Sequence, residues 1–370
     1  MTDWSIDWVS IRQQHPPETP MLGGSEHILV IDSESGQVTR EKVGFFSHEG
    51  SFDTRVAVRS YQGLVEWSGN PSRWGRLDNV WGYTCMSDCL ALINRHLESL
   101  GLPPFTASAP GVQARRSQME GPDSRPATTG AVLTRVDLNR NFAAGDMRSA
   151  ETYLRAAASA VYRGKSAQVH SATSVSWGSV QHSRLTMYAK GAEIAGHTNY
   201  QPSKVIDQPP EFVQAYLDGL QYRRELAEWA TGIGLLRHEC RLGRHGLRQS
   251  GLRSLDEWDD ERARDIAQTR FDAMNVGCST GLDRAFDAFV AAGLTDRRAA
   301  TLSGVVSRWY FGDDTSVGVS PATWYRYRST VRDVLGIDIA QRPDVAVLTA
   351  QVRTVTLTPA SPPAWYRHAA

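Results

Sequence analysis

Between residues 27 and 67 the chain alternates apolar and polar positions with period two. HILVID, VTREKVGFF and RVAVRSYQGLVEW are separated by the turn-rich segments SESG and HEGS, which predicts a meander of β-strands. The pattern then changes period. In MSDCLALINRHLESL, residues 86–100, the positions of Cys89, Leu92, Ile93 and Leu97 fit one face of a helix that stops at Gly101 ahead of Pro103 and Pro104. A first unit over 1–105 follows. Residues 106–129 are rich in Ala, Ser, Pro, Gly and Arg and almost free of bulky apolar side chains, the composition of a flexible linker.

A second unit, 130–250, has a tighter rhythm. Strands are expected at 131–139, 168–177, 182–190 and 235–242, with helices at 146–162 and within 211–231. Beyond 250 the periodicity is helical, so 251–370 reads as a C-terminal helical DNA-binding or accessory region. Strands around crossover helices predict an α+β fold: an antiparallel catalytic sheet with helices on one face. Both β-rich units end in a helix, which is compatible with duplication of one plan.

Splitting the strands of the second unit into their two sides locates candidate chemistry, because side chains alternate faces along a strand. Thr134, Val136 and Leu138 oppose Arg135, Asp137 and Asn139. Leu185, Met187 and Ala189 oppose His182, Arg184, Thr186, Tyr188 and Lys190, while Leu236, His238, Cys240 and Leu242 oppose Arg237, Glu239 and Arg241. On pattern alone the polar side is equally the ordinary solvated face of a half-covered sheet. Read chemically, it offers a carboxylate pair for a hard divalent cation, a phenol for nucleophilic attack and cations to stabilise it, the parts of a DNA-nicking site.

Composition narrows the reading. Forty Lys and Arg balance forty Asp and Glu, so any nucleic-acid site must be a local patch. Residues 221–253 hold seven arginines against three acids and 254–272 hold seven acids against three arginines, local charges of +4 and −4. The basic stretch, with Arg237, Arg241 and Arg244, is a candidate to track phosphates. In the tail, SPATWYRYRSTVRDVLG offers Arg326, Arg328 and Arg332 among aromatics, as a recognition helix or as an amphipathic packing helix. Four scattered cysteines suit a reducing compartment, and no run of about 18 apolar residues predicts a membrane span.

Several blocks, in order, resemble the replication initiators of filamentous bacteriophages, the gene-two-type plus-strand nickases. They are Arg135-Val136-Asp137; Ser174 to Trp177; His182 six residues before Tyr188-Ala189-Lys190 with Glu193-Ile194; and Arg237-His238-Glu239-Cys240-Arg241. VEWSGNPSRWGRLDNVWGYTCMSDCLALI and SPATWYRYRSTVRDVLGIDI extend the likeness over most of the chain. The resemblance implies nicking of the plus strand at the origin through a 5′-phosphotyrosine on Tyr188, with later rejoining of the displaced strand. Lys190, Arg184 and His182 would assist, and Asp137, Glu239 and Glu193 would hold Mg2+ or Mn2+. Its implied partners are double-stranded replicative-form origin DNA, displaced single-stranded DNA, and a host helicase and polymerase in the host cytoplasm, with self-association on the origin compatible. No GxxxxGK[ST] loop is present to supply unwinding. The wider HUH endonucleases use a His-hydrophobe-His pair for metal, and no His-x-His occurs here, so the ligands would be mainly carboxylates. A plasmid- or transposon-type rolling-circle initiator, or a non-enzymatic origin-binding repressor, would fit the same pattern.

Overall fold

The computed structural model describes residues 4–24, 27–49, 54–108, 130–158, 160–163, 165–201, 204–206, 208–274, 282–342 and 355–367. Residues 109–129, nearly all of the expected linker, lie outside the described residues. In chain order the first half contains β1 (Ser5–Gln14), β2 (His27–Ile31), β3 (Val38–Val43), β4 (Phe46–Glu49), β5 (Arg55–Tyr61), β6 (Leu64–Gly69) and α1 (Met86–Ser99). The second contains β7 (Val132–Ala143), α2 (Met147–Ala158), the short β8 (Val161–Tyr162) and β9 (Lys165–Ser166), then β10 (Gln168–Ser171), β11 (Ser174–Gly178) and β12 (Ser183–Ala189). It continues with α3 (Lys190–Ala195), α4 (Pro210–Gly232), β13 (Leu235–Gly243) and α5 (Arg244–Ser250). Four further helices, α6 (Asp260–Asp272), α7 (Leu282–Ala291), α8 (Asp296–Tyr310) and α9 (Pro321–Leu335), precede β14 (Thr358–Pro359).

The two β-rich units form one antiparallel sheet in the order β10-β11-β12-β13-β7-β1-β6-β5-β4, with β14 pairing the end of β7. β1 and β7 lie at its centre, Val9 opposite Val136. In each half the first strand is innermost, with β6 or β13 next to it and the preceding strands following outward in reverse chain order, so the strand order repeats. The α+β class and the antiparallel sheet agree with the sequence reading. β1 is an addition to it: the extra residue Asp7, between Ile6 and Trp8, interrupts the strict alternation by which a strand is recognised, while the second register shift places its extra residue, Thr134, on β7.

One face of the sheet carries the main core. Cys89, Ile93 and Leu97 of α1, Ala150 and Leu154 of α2, and Ala263, Ala267 and Phe271 of α6 pack on Trp67, Leu133, Leu138, Leu185, Met187, Leu236 and Leu242. His238 belongs to this side, its ring stacked 4.7 Å from Phe271 and its pKa pushed down to about 3 by burial. Because α6 contributes to this core, a second and separate core begins only with α7 to α9, around Phe289, Leu302, Trp309, Val331 and Leu335.

The opposite face is capped at one end. Tyr222, Leu226 and Ala230 of α4 enclose Val80, Leu235 and Tyr366, with Ala143 packed against them. Inside this cap the Asp78 carboxylate is 4% exposed. It accepts hydrogen bonds from the Tyr366 hydroxyl at 2.6 Å and the Tyr222 hydroxyl at 3.0 Å. The C-terminal segment thereby ties down the loop that follows β6. Tyr366→Phe deprives a buried carboxylate of a donor and should cost about 1–3 kcal/mol. Urea unfolding checks this; an unchanged midpoint would show that the segment carries no part of the loop's stability.

Candidate active site

The polar face is organised as cross-strand rows. Ser174, Tyr188, Arg237 and Asn141 form one row across β11, β12, β13 and β7. Ser176, Thr186, Glu239 and Asn139 form the next, and Gly178, Arg184, Arg241 and Asp137 the third.

Arg237 is fully buried. Its Nε donates to Asn141 Oδ1 at 3.0 Å and its Nη2 to the carbonyls of Asn79 and Val80, each at 2.7 Å. Nη1 lies 3.5 Å from Asp7 Oδ1. Asp7 also accepts from the side-chain amides of Asn70 at 3.0 Å and Asn79 at 2.9 Å. The other end of the Asn79 side chain accepts from Lys190 Nζ at 2.9 Å. Lys190 is itself 1% exposed and paired at 2.6 Å with Glu193. One asparagine thus links Asp7 to Lys190.

Tyr188 is half-buried in the middle of this arrangement, with Lys190 Nζ 5.8 Å from its ring centroid. Its hydroxyl makes no hydrogen bond among the described residues. Burial pushes its pKa well above the ordinary phenol value; Arg237 opposes that rise, and Glu239, Asp7 and Glu193 add to it. The phenol is therefore protonated at neutral pH.

Glu239 is diagonal to Tyr188, and no cation is in direct contact with its carboxylate among the described residues. Burial, reinforced by Asp137 and Asp7, raises its pKa to about 8. Asp137 is differently placed. Arg135 forks onto it, with Nε to Oδ1 at 2.8 Å and a second bond from Nη2, and Arg241 Nε lies 3.4 Å away. Among the described residues no group of three His, Cys, Asp or Glu side chains forms a ready metal cage. A hard cation that keeps its waters and takes substrate phosphates needs only one or two carboxylates. Glu239, kept without a cationic partner, fits that requirement; Glu193, occupied by Lys190, is set apart from it.

The remaining expected residues are dispersed. Lys190 is the first residue of α3, and still reaches the Tyr188 ring because the chain turns there. Arg184 sits two rows away and bonds His170 Nε2 at 3.0 Å and Ser176 Oγ at 2.9 Å. His182 precedes β12 in an exposed turn and stacks on His245. Six residues from Tyr188 at about 3.3 Å each put it about 20 Å away, so it does not join the site. Arg237 is a buried strut and not a surface contact for DNA. In the tail, Arg328 is held by two 2.6 Å bonds to Asp338, whereas Arg326 is exposed; Arg326, Arg328 and Arg332 do not form one free basic face. Asp7, Asn70 and Asn79 escape the sequence reading, the first because it falls in the interrupted alternation of β1 and the others because loop amides carry no pattern.

Residues 5–261 match the family of phage replication-associated proteins of the gene-two type, over the part described as N-terminal. The chain belongs to this family. It is also 26% identical over 330 residues to the gene-two-type replication-associated protein of Escherichia phage If1, covering 84% of this chain and 97% of that one. No solved structure matches. The family match contains every member of the Tyr188 arrangement and ends within α6, leaving the α7–α9 core outside it.

A carboxyl that the fold keeps protonated retains a proton the unfolded chain has already released. The stability linked to Glu239 is therefore fully present below about 4.5 and is lost as pH rises towards about 8. Glu239→Gln should flatten this decline, gaining on the wild type between pH 5 and pH 9. Thermal melts across that range check it, and a constant offset between the two proteins would show that Glu239 is not held neutral by burial.

Proposed function

We propose that this protein is a site-specific DNA endonuclease and strand transferase that initiates rolling-circle replication of a filamentous phage genome. It would nick the plus strand at the origin through Tyr188 and later rejoin the displaced strand. The observation that carries this reading is a half-buried phenol with an unoccupied hydroxyl, set against buried Arg237 and Lys190 and diagonal to a carboxylate without a cation. A tyrosine placed only to fill a sheet surface has no use for two buried cations. Membership of the family supports the replication role.

In the nicking step the Tyr188 Oη forms a bond to the scissile phosphorus while the bond from phosphorus to the 3′ oxygen breaks. The phenolic proton passes to Glu239 in its ionised form. Arg237, directly opposite on β13, stabilises the developing phenolate. The 3′ oxygen leaves with a proton that Lys190 can donate, since burial makes its ammonium more acidic. Rejoining is the reverse: a 3′-hydroxyl attacks the phosphotyrosine and Tyr188 recovers its proton. Mg2+ or Mn2+ would be held by Glu239 with Asp137 as neighbour, and would neutralise charge on the phosphate. Duplex replicative-form DNA and its displaced strand are the substrates on this reading, with host enzymes supplying unwinding and synthesis in the host cytoplasm. Among the described residues no helix is long and apolar enough to cross a membrane.

Tyr188→Phe removes one oxygen that bonds nothing among the described residues. Folding stability should stay within about 0.5 kcal/mol of the wild type, while the covalent protein-DNA adduct disappears. Mass spectrometry of the adduct formed on supercoiled origin DNA decides the point. An adduct of undiminished yield would move the nucleophile elsewhere, and no adduct from the wild type would favour a non-enzymatic origin binder.

Glu239→Gln should lower nicking by roughly 10²–10⁴-fold, the range for loss of a positioned proton acceptor. Nicking by the wild type should also stop in EDTA and return with Mg2+ or Mn2+. Equal rates with and without chelator would remove the metal from the scheme while leaving the tyrosine chemistry in place.

A further inference from the structure

Four arginines gather past the end of β13 that lies away from Tyr188: Arg12 on β1, Arg244 and Arg248 on α5, and Arg253 in the segment that follows. Arg12 lies opposite Val132, whose bridge partner Ser254 follows Arg253, and burial and then Arg244, Arg12 and Arg248 depress the pKa of Arg253, which places those three charges within reach of it. None has an acidic partner among the described residues. Glu66, opposite Arg12 across β1 and β6, is engaged by Arg59, and Asp137 by Arg135 and Arg241. The Nε of Arg253 is buried with no acceptor among the described residues.

The cluster is rigidly placed. Arg253 accepts at its carbonyl from the Leu133 amide at 2.8 Å, and the amide of Leu252 donates to the Leu247 carbonyl at 3.0 Å. Holding like charges around a partly buried guanidinium without a counter-ion is unfavourable, and an external anion would compensate them. From this we propose that the Arg12, Arg244, Arg248 and Arg253 cluster is a docking point for the phosphodiester backbone of DNA, about six nucleotides from the phosphate at Tyr188. Arg237 and Gly243 are six residues apart on β13, about 20 Å. B-form duplex advances about 3.4 Å per nucleotide along one strand, so that span corresponds to about six. Arg184 and Arg241 stud the same face in between, and Arg135 lies opposite Gly243 at its end. The spacing rests on Tyr188 as the nucleophile; the docking itself does not.

Binding to a 30-base-pair duplex, followed by fluorescence anisotropy over a salt series, tests the docking without any cleavage. Replacing Arg12, Arg244, Arg248 and Arg253 together by Gln should reduce the slope of log affinity against log salt by roughly 0.9 for each phosphate no longer engaged, about 2–4 in all. An unchanged slope overturns the proposal. Because Arg253 is partly buried, R244Q/R248Q provides a second variant on exposed positions alone, for which a reduction of about 1–2 is expected. Trimming origin duplexes from ten to four base pairs on each side of the nick tests the spacing. One side should matter to the wild type and not to the fourfold variant; equal trimming penalties in both proteins overturn the placement. Should the wild type form no adduct, the nickase reading fails while the salt slopes still decide the docking.

Discussion

The Tyr188 arrangement depends on a buried guanidinium. Arg237 lies in a central strand without contact with water, and a charge in that position is tolerated only if its donors are met by acceptors and its charge is balanced. The fold meets the demand from three separate parts of the chain: Asn141 on β7, the carbonyls of Asn79 and Val80 in the loop after β6, and Asp7 on β1. Each contact constrains more than the arginine. Fixing the loop fixes the Asn79 side chain, which in turn holds Lys190 against Tyr188. The charge is costly to bury, and in exchange it joins the two halves of the sheet around one phenol.

The sequence is legible where a single element carries its own pattern. Period-two alternation in β12 and β13 separates core from polar side correctly, and places Tyr188, Arg237 and Glu239 on one face; in β7 it holds from Arg135 to Asn139 and fails at the shift around Thr134, which turns Leu133 into the core. It also assigns His238 to the apolar side, where the structure buries it among aromatic rings. The reading fails where position depends on a partner. β1 is central, yet its register shift breaks the alternation around Asp7, so one of the acids nearest the site is hidden in an irregular strand. Lys190 and His182 look like members of the Tyr188 face when counted as strand residues. The strand is shorter than the count, and the chain turns at both ends: Lys190 turns towards the phenol and His182 remains about 20 Å away.

Charge segregation along the chain has a similar limit. The excess of arginine in 221–253 is real, but its members have different roles. Arg237 is a strut, Arg241 lies beside Asp137, and Arg244, Arg248 and Arg253 gather with Arg12 from a strand more than 200 residues away in sequence. A local charge count cannot distinguish an arginine held by the protein from one left for a ligand. Only the acceptors around each guanidinium do so, and the same test separates Arg328, locked on Asp338, from Arg326 on the same helix.

The two ends of the polar face therefore have opposite electrostatic character. Around Tyr188 the acids Asp7, Glu193 and Glu239 all raise the cost of ionising the phenol, whereas at the far end the nearby acids Glu66 and Asp137 are engaged by Arg59, Arg135 and Arg241 and the clustered arginines have none of their own among the described residues. On the proposed reading a phosphate backbone is drawn first to the arginines and meets repulsion as it approaches the tyrosine. On that reading a divalent cation beside Glu239 would reduce the repulsion. A phosphate seated there brings a reaction partner to a phenol that is otherwise kept neutral. On that same reading the arrangement would keep Tyr188 inert in the free protein and dependent on a fully engaged strand, the behaviour that the proposed nickase would need in order to cut one site and then hold the end it has made.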